Sequence, residues 1–376
     1  MASIQSGKIA YLIRGLLLPE KYGILFDRQT FPLKHLSLEK RLNYIFQGIR
    51  SVYNPWNGFG IPPVLQIEPV NDCNLRCRTC AFGTGLIRRP PEAMPFDLYK
   101  SIIDQVANRV SLMAFWAWGE PFAHEKACDM IRYAKDSGLL VHTSTNGHFF
   151  TTAAEARRVI DSGLDSIILC VDGLDQKTYE TYRVRGQLEK VLTSTENLVT
   201  EKRRLGKATP TITLRFLVMK HNEHQVEAFK AMAREMGVDA LSLRLPAVQR
   251  EKVNLEKTLA PRLMSIGGDS GKKKQKGTQI WRPSSAPCSR PLANLTIFSN
   301  GDVVLCENDY NAEFSPGNAS RNRIRDILSS RKAKALLEAF RRNPESLPFC
   351  RNCDKHDLKG DRLNIYHRKI EKETSA

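Results

Sequence analysis

The stretch Val70-Asn71-Asp72-Cys73-Asn74-Leu75-Arg76-Cys77-Arg78-Thr79-Cys80 sets three cysteines in a Cys-x3-Cys-x2-Cys pattern within one loop. Three thiolates this close suit a cubane [4Fe–4S] cluster and leave one iron without a protein ligand. An open iron binds a second molecule, so such a cluster is a reagent as well as a carrier of electrons. Zinc is the competing reading. It wants four ligands, commonly as two separated pairs, and no fourth Cys or His stands near this loop. The run Pro62-Pro63-Val64-Leu65-Gln66-Ile67-Glu68-Pro69 just before it reads as a strand feeding the loop.

Working outward, strand-like and helix-like patterns alternate from residue 62 to about residue 250. Strands are expected at Val64–Glu68, Leu112–Ala117, Leu140–Thr145, Ser166–Val171, Thr211–Met219 and Ala240–Leu245. Helices are expected at Phe96–Asn108, Lys126–Asp136, Ala153–Ser162, Leu188–Arg204 and Gln225–Met236, with Gly163 and Gly237 at helix ends. Repeated βα units imply an α/β fold with a parallel sheet and helices outside it.

The triplet at the end of the first strand resembles that of the radical S-adenosylmethionine (SAM) superfamily. The resemblance covers roughly residues 62–360 and implies a partial (β/α)6 TIM-like barrel. It also implies that SAM chelates the open iron and is cleaved to a 5′-deoxyadenosyl radical, which takes a hydrogen atom from substrate. Trp118-Gly119-Glu120-Pro121 follows the second strand and is similar to the family's Gly-Gly-Glu-Pro turn, whose backbone holds the SAM amino group. Here Trp118 stands in place of the first glycine. Asn146 ends the third strand in Thr145-Asn146-Gly147, and Asp172 ends the fourth in Cys170-Val171-Asp172-Gly173, like the family's Ser-x-Asp-Gly. Arg183, in Tyr182-Arg183-Val184-Arg185-Gly186 at the opening of the next helix, resembles an Arg-x-Gly-Gly motif that approaches the SAM carboxylate and ribose. The resemblance thus assigns Gly119, Glu120, Pro121, Asn146, Asp172 and Arg183 to the SAM site. Taken singly, each of these turns is also an ordinary strand end.

A second constellation joins Cys288, Cys306, Cys350 and Cys353. Between the first two, Leu295 to Leu305 reads as a β-hairpin in which Asn300-Gly301 signals a type I′ turn. A helical segment, Arg331–Arg342, returns the chain to the Cys-x2-Cys pair. Four spaced thiolates fit zinc as well as a [4Fe–4S] cluster. Behind a radical SAM barrel the pattern resembles the twitch domain, the short form of the SPASM extension. That implies one auxiliary [4Fe–4S] cluster with every iron ligated, suited to accepting or relaying an electron. No cysteine follows Cys353, so a second auxiliary cluster is not expected.

The 376 residues suit a barrel plus additions, and no run approaches the apolar length of a membrane span. The expected organisation is an N-terminal extension (1–61), the barrel (62–250), a basic linker (251–287) and the auxiliary-cluster domain with its tail (288–376). Ile9 to Leu18 is apolar but interrupted by Arg14, with no cleavage site after it, which argues against a signal peptide. That segment reads either as packed on its own barrel, the favoured reading, or as lying on a membrane surface. Clustered, odd-numbered cysteines argue for metal ligation over disulfides and for a cytoplasmic setting. The net charge of +17 favours an anionic small-molecule substrate. No nucleic-acid motif accompanies it, and Lys272-Lys273-Lys274-Gln275-Lys276 reads as a solvated loop.

Of the two remaining cysteines, Cys128 shares a helix face with Ile131 and Ala134 and reads as a core thiol. Cys170 shares strand parity with Ile168 and Asp172 and can point into the barrel. The leading expectation is a radical SAM oxidoreductase of dehydrogenase type, holding SAM and two [4Fe–4S] clusters. It would act on a small polar substrate (sugar-like, phosphorylated or nucleotide-linked) and take its electron from flavodoxin or ferredoxin. Epimerisation of a sugar-like substrate, peptide maturation and a non-catalytic metal-binding protein stay open as alternatives. No residue declares itself as the catalytic base.

Overall fold

The computed structural model describes residues 14, 17–53, 60–246, 288, 290–351, 353 and 364–369. Most of the Ile9 to Leu18 segment and the whole of 251–287 lie outside the described residues. Six strands carry the barrel: β3 (Val64–Ile67), β4 (Leu112–Phe115), β5 (Leu140–Thr145), β6 (Ser166–Cys170), β7 (Thr211–Leu217) and β8 (Ala240–Arg244). Each pairs in parallel with the next. Parallel neighbours need crossovers, and helices supply them. These are α2 (Phe96–Val106), α3 (Ala127–Asp136), α4 (Ala153–Asp161), α5 (Gln176–Tyr182) with α6 (Leu188–Arg204), and α7 (Val226–Glu235). Gly163 and Gly237 take φ of +81° and +67° where α4 and α7 end and a strand begins. Helix α5, unexpected from the sequence, ends at Tyr182, so Tyr182–Gly186 links two helices instead of opening one.

Alternation along the strands divides the barrel into two layers. Leu65, Met113, Phe115, Ile167, Leu214 and Phe216 point outward and pack against the helices in one buried core. The inward positions are largely polar, including Gln66, His142, Ser166, Thr213, Arg215 and Ser242.

The N-terminal extension is built into this barrel. A hairpin, β1 (Gly23–Phe26) and β2 (Gln29–Pro32), precedes α1 (Leu38–Tyr53). Its Asp27-Arg28 turn takes φ of 49° and 64°, the positive pair a two-residue hairpin turn demands. Ile24, Phe31 and Leu33 pack against Val64, Leu112 and Leu140, the first residues of β3, β4 and β5. Gln29 Nε2 donates to Thr213 Oγ1 at 3.2 Å, and Gln29 Oε1 accepts from the Ser166 hydroxyl. The hairpin therefore plugs the lower end of the barrel.

The C-terminal part continues the same sheet. A short helix, α8 (Arg290–Ala293), leads into β9 (Asn294–Ile297), which pairs in parallel with β3. Antiparallel to β9 lies β10 (Asp302–Val304), followed by β11 (Gly317–Asn318). The expected hairpin forms, but not through a type I′ turn. Gly301 has φ +87°, while Asn300 is not among the residues with positive φ. Gly301 N bonds Phe298 O at 2.8 Å and Phe298 N bonds Asp302 O at 2.9 Å. A turn followed by a left-handed glycine closes the loop and absorbs the extra residues. After α9 (Ile324–Ser329), α10 (Arg331–Arg342) buries Ala333, Leu336, Leu337 and Phe340 on one face, capped by Ser330. The chain then runs through α11 (Pro348–Arg351), and β12 (Asn364–Lys369) pairs antiparallel with β8 at the opposite sheet edge.

Candidate active site

The Cys73–Cys80 loop leaves the carboxyl end of β3, the end of a parallel barrel where ligands meet. It is fastened from above by the α5–α6 link. Arg76 N donates to Val184 O at 2.9 Å, and Thr79 Oγ1 lies 2.8 Å from the Tyr182 hydroxyl. Arg76 Nη1 donates back to Cys73 O and Leu75 O. Cys73, Cys77 and Cys80 are free thiols close enough to influence one another electrostatically. Burial pushes the Cys73 thiol up to about 12, aided by the Glu120 charge. Burial likewise pushes Cys77 up to about 11, against the opposing pull of Arg183. Metal binding needs thiolates, so a cluster would take the place of those protons. Among the described residues no three metal-ligating side chains converge as on a single ion. A donor set of three gathered thiols suits a cubane, where each binds its own iron.

The Gly119-Glu120-Pro121 turn abuts this loop. A Cβ at Gly119 would stand 2.0 Å from Val70 O and 2.7 Å from Asp72 O, so only glycine fits. Glu120 N donates to Asp72 O at 2.8 Å. The Glu120 carboxylate is buried and accepts from Thr145 Oγ1 at 2.6 Å, Asn146 N at 2.8 Å and Phe122 N at 3.2 Å. Burial raises it to about 6 despite those hydrogen bonds. Its side chain ties the second strand end to the third. Asn146, so placed, donates to Asn74 Oδ1 at 2.7 Å, with Cys73 Sγ at 3.8 Å.

Asp172 and Arg183 form a buried pair, Nε to Oδ2 at 2.6 Å. The other Asp172 oxygen accepts from Leu217 N at 2.7 Å. Arg183 Nη1 points at Cys77 Sγ, 3.7 Å away. Arg183 is therefore held against the cysteine loop by a carboxylate already fully engaged. The sequence did not disclose His148, which joins this group: its Nε2 accepts from Gln187 N at 2.9 Å, so the ring proton rests on Nδ1, beside Asn146.

The second cysteine set forms beside β3. Cys306 follows β10, and Cys350 lies on α11 with Cys353 just after it. Cys350 feels the charges of Cys306, Cys353 and Cys288, so all four gather in one place. Burial pushes Cys306 up to about 12, opposed by Arg290. Arg290 Nη1 pairs with Glu307 at 2.7 Å, and Asn308 Nδ2 lies 3.4 Å from Cys353 Sγ.

Trp118 links the two sets. Its indole N–H donates to Glu307 O at 2.9 Å, one residue past Cys306, and its ring meets Tyr310 edge-on at 5.9 Å. Gln66 Nε2 donates to Glu307 Oε2 at 2.6 Å. A buried pair, Arg89 with Glu68 at 2.7 Å, adds a hydrogen bond to Tyr310 O and stacks on Phe298 at 3.9 Å.

Residues 67–233 match the radical SAM superfamily and residues 288–354 an iron–sulfur cluster-binding domain. The tungsten-containing aldehyde ferredoxin oxidoreductase cofactor-modifying protein of Pyrococcus furiosus is 27% identical over 195 residues, 50% of this chain and 53% of that one. PqqA peptide cyclase of Bradyrhizobium diazoefficiens is 23% identical over 189 residues, 49% and 47%. The chain spans about half the length of the curated relatives it matches. Among solved structures, Streptococcus suis SuiB bound to S-adenosylmethionine shares the fold with a TM-score of 0.56 at 15% identity, over 84% of this chain and 76% of that one. BtrN in complex with AdoMet and 2-DOIA does so with 0.51 at 14%, over 83% and 100%. Among the described residues no helix is long and apolar enough to cross a membrane. The chain therefore carries a radical SAM domain at residues 67–233 and an iron–sulfur cluster-binding domain at residues 288–354, and works with SAM and [4Fe–4S] clusters.

Proposed function

We propose that the protein is a radical SAM dehydrogenase acting on a carbon centre of a small polar molecule. The carrying observation is the join between the two cysteine sets, Trp118 Nε1 to Glu307 O at 2.9 Å, which sets four gathered thiols beside the SAM-side turn. An oxidation needs an electron sink next to the substrate, whereas an isomerisation needs none. When bound, the clusters and SAM would supply the hydrogen-abstracting radical and that sink. In this reading Cys73, Cys77 and Cys80 hold the SAM cluster, and Cys288, Cys306, Cys350 and Cys353 the auxiliary one. Gly119, Pro121 and Asn146 shape the SAM pocket. Glu120, Asp172 and Arg183 position it, because their polar atoms are engaged with the protein. An external one-electron donor of flavodoxin or ferredoxin type completes the system. The AdoMet and 2-DOIA complex of BtrN, a fold neighbour, accords with a small substrate. The PqqA peptide cyclases among the relatives keep a peptide as the competing one.

Cys170 gives epimerisation its specific support. It is 7% exposed on the lumen face, with Ser144 Oγ 3.8 Å from its sulfur. A solvent-exchanging thiol there can return a hydrogen atom to carbon. The two readings part in deuterium oxide. With reductant, SAM and a small-metabolite extract, dehydrogenation yields a product two hydrogens lighter than its substrate with no new carbon-bound deuterium, and Cys170→Ala retains turnover. An isomeric product carrying one deuterium, lost in Cys170→Ala, would overturn the dehydrogenase.

A further inference from the structure

The barrel lumen holds polar groups that none of the roles above uses. Asp27, at the tip of the plugging hairpin, accepts from Arg215 Nη2 at 2.7 Å and from Arg244 Nη1. His142 Nε2 lies 3.7 Å from the same carboxylate. One carboxylate thus faces two guanidinium groups among the described residues. Asp27 is the carboxylate that both guanidinium groups share. The Arg215 side chain is 9% exposed, and its Nε–H has no hydrogen-bond partner among the described residues. Ser242 is 1% exposed, and its hydroxyl has none either. Arg215 and Ser242 are register partners on β7 and β8, and both belong to the inward-facing set. Two buried orphan donors side by side are rare, because each gives up water without gaining an acceptor.

Toward the cysteine-loop end of this level the inward residues are less buried. Trp116, Ser144 and Arg244 face inward at the carboxyl ends of their strands, yet each is only half-buried. Cys170, the register partner of Arg215 on the other side, lines the same level. A ligand entering from the cysteine-loop end would meet these groups first.

We propose that Arg215 Nε–H and the Ser242 hydroxyl, with Arg244 beside them, seat an anionic group of the substrate, a phosphate or a carboxylate. An anion is all acceptor, so its oxygens can take both orphan donors at once, and a guanidinium binds it through charge-assisted bonds. The net charge of +17 adds long-range attraction for such a molecule. The inference rests on the reading of the barrel as a substrate site, but not on whether the reaction is oxidation or epimerisation.

Binding alone tests it. Inorganic phosphate and acetate are titrated separately, by calorimetry, into the full chain with reconstituted clusters. At least one anion is expected to saturate, and the tighter of the two identifies the group. Ser242→Ala should weaken that anion about tenfold, the loss of one charge-assisted hydrogen bond. Its hydroxyl has no partner among the described residues, so the fold should persist, checked by iron content and circular dichroism. Arg244→Gln should weaken binding at least as much. No saturable binding of either anion, or wild-type affinity in Ser242→Ala, would overturn the proposal. A failed mass test with these losses intact would instead remove only the dehydrogenase reading.

Discussion

Asp27 is the residue on which the interior electrostatics turn. Burial pushes its carboxyl up, but Arg215, the nearby His142 and Arg244 together outweigh that and hold it well below the usual carboxylate range. A folded-state value below the unfolded one means the contribution to stability is present above about pH 4 and fades as pH falls further. Asp27→Asn keeps the shape but removes the carboxylate that buried Arg215 and half-buried Arg244 share. It should cost about 3–5 kcal/mol at pH 7, read from the urea midpoint. A loss under 1 kcal/mol would mean that water reaches the cluster. Lys40 behaves in the opposite way. Its ammonium donates to Ser137 O at 3.1 Å and Gly138 O at 2.5 Å, but burial and Lys135 lower it to about 8. Here the unfolded chain binds the proton more tightly, so stability should rise between about pH 8 and 10.5. Lys40→Met should flatten that rise, while an unchanged slope would assign it to other groups.

At the scale of elements, the union of β9 with β3 and the reach of Trp118 across it decide how the second cysteine set meets the first. Trp118→Phe keeps a ring against Tyr310 and loses only the donor to Glu307. It should cost about 1 kcal/mol. Trp118→Gly restores the glycine of the family's turn but removes the whole contact, so it should cost more and loosen iron from the second set first, measured as iron retained after gel filtration. Full iron retention in Trp118→Gly would show that β9–β3 pairing alone suffices. The elements themselves were largely legible. Leu140–Thr145 and Leu188–Arg204 fall where the sequence pattern set them, because a strand bounded by Gly138 and the Asn146-Gly147 turn and a long amphipathic helix each leave a signal over several residues. The β1–β2 hairpin was not legible. Its strands are four residues each, and Asp27-Arg28 lacks the Asn-Gly or Asp-Gly signature of its turn. The first cysteine set stands out because its residues share one loop, and the second because its hairpin and Cys-x2-Cys pair resemble a family pattern. The Trp118–Glu307 bond could not, since it joins residues 189 apart.

For the whole molecule the question is whether two clusters on one continuous sheet divide their labour. Cubane chemistry sets the content at about eight irons and eight sulfides per chain after anaerobic reconstitution. Replacing Cys73, Cys77 and Cys80 by Ala should leave about half of that, held by the other set, whereas stoichiometric zinc with near four irons would remove the auxiliary cluster. Kinetics then tests the division itself. The thiols of the first set are fixed by the α5–α6 link and by Asn146, whereas Cys353 lies beside Asn308 in the second set. Cys353→Ala should therefore spare slow SAM cleavage without substrate, measured as 5′-deoxyadenosine. Cys73→Ala should abolish it. If the second site serves as the electron sink, Cys353→Ala should also stop substrate oxidation while radical formation continues, so that 5′-deoxyadenosine accumulates without product. On that reading the Trp118–Glu307 hydrogen bond offers a path between the sites, and Trp118→Phe should fall between Cys353→Ala and wild type in product formed per 5′-deoxyadenosine. Equal loss of uncoupled cleavage in a folded Cys353→Ala protein would show instead that the two sets act as one centre, and the sheet that joins them would then be part of the reactive unit rather than its frame.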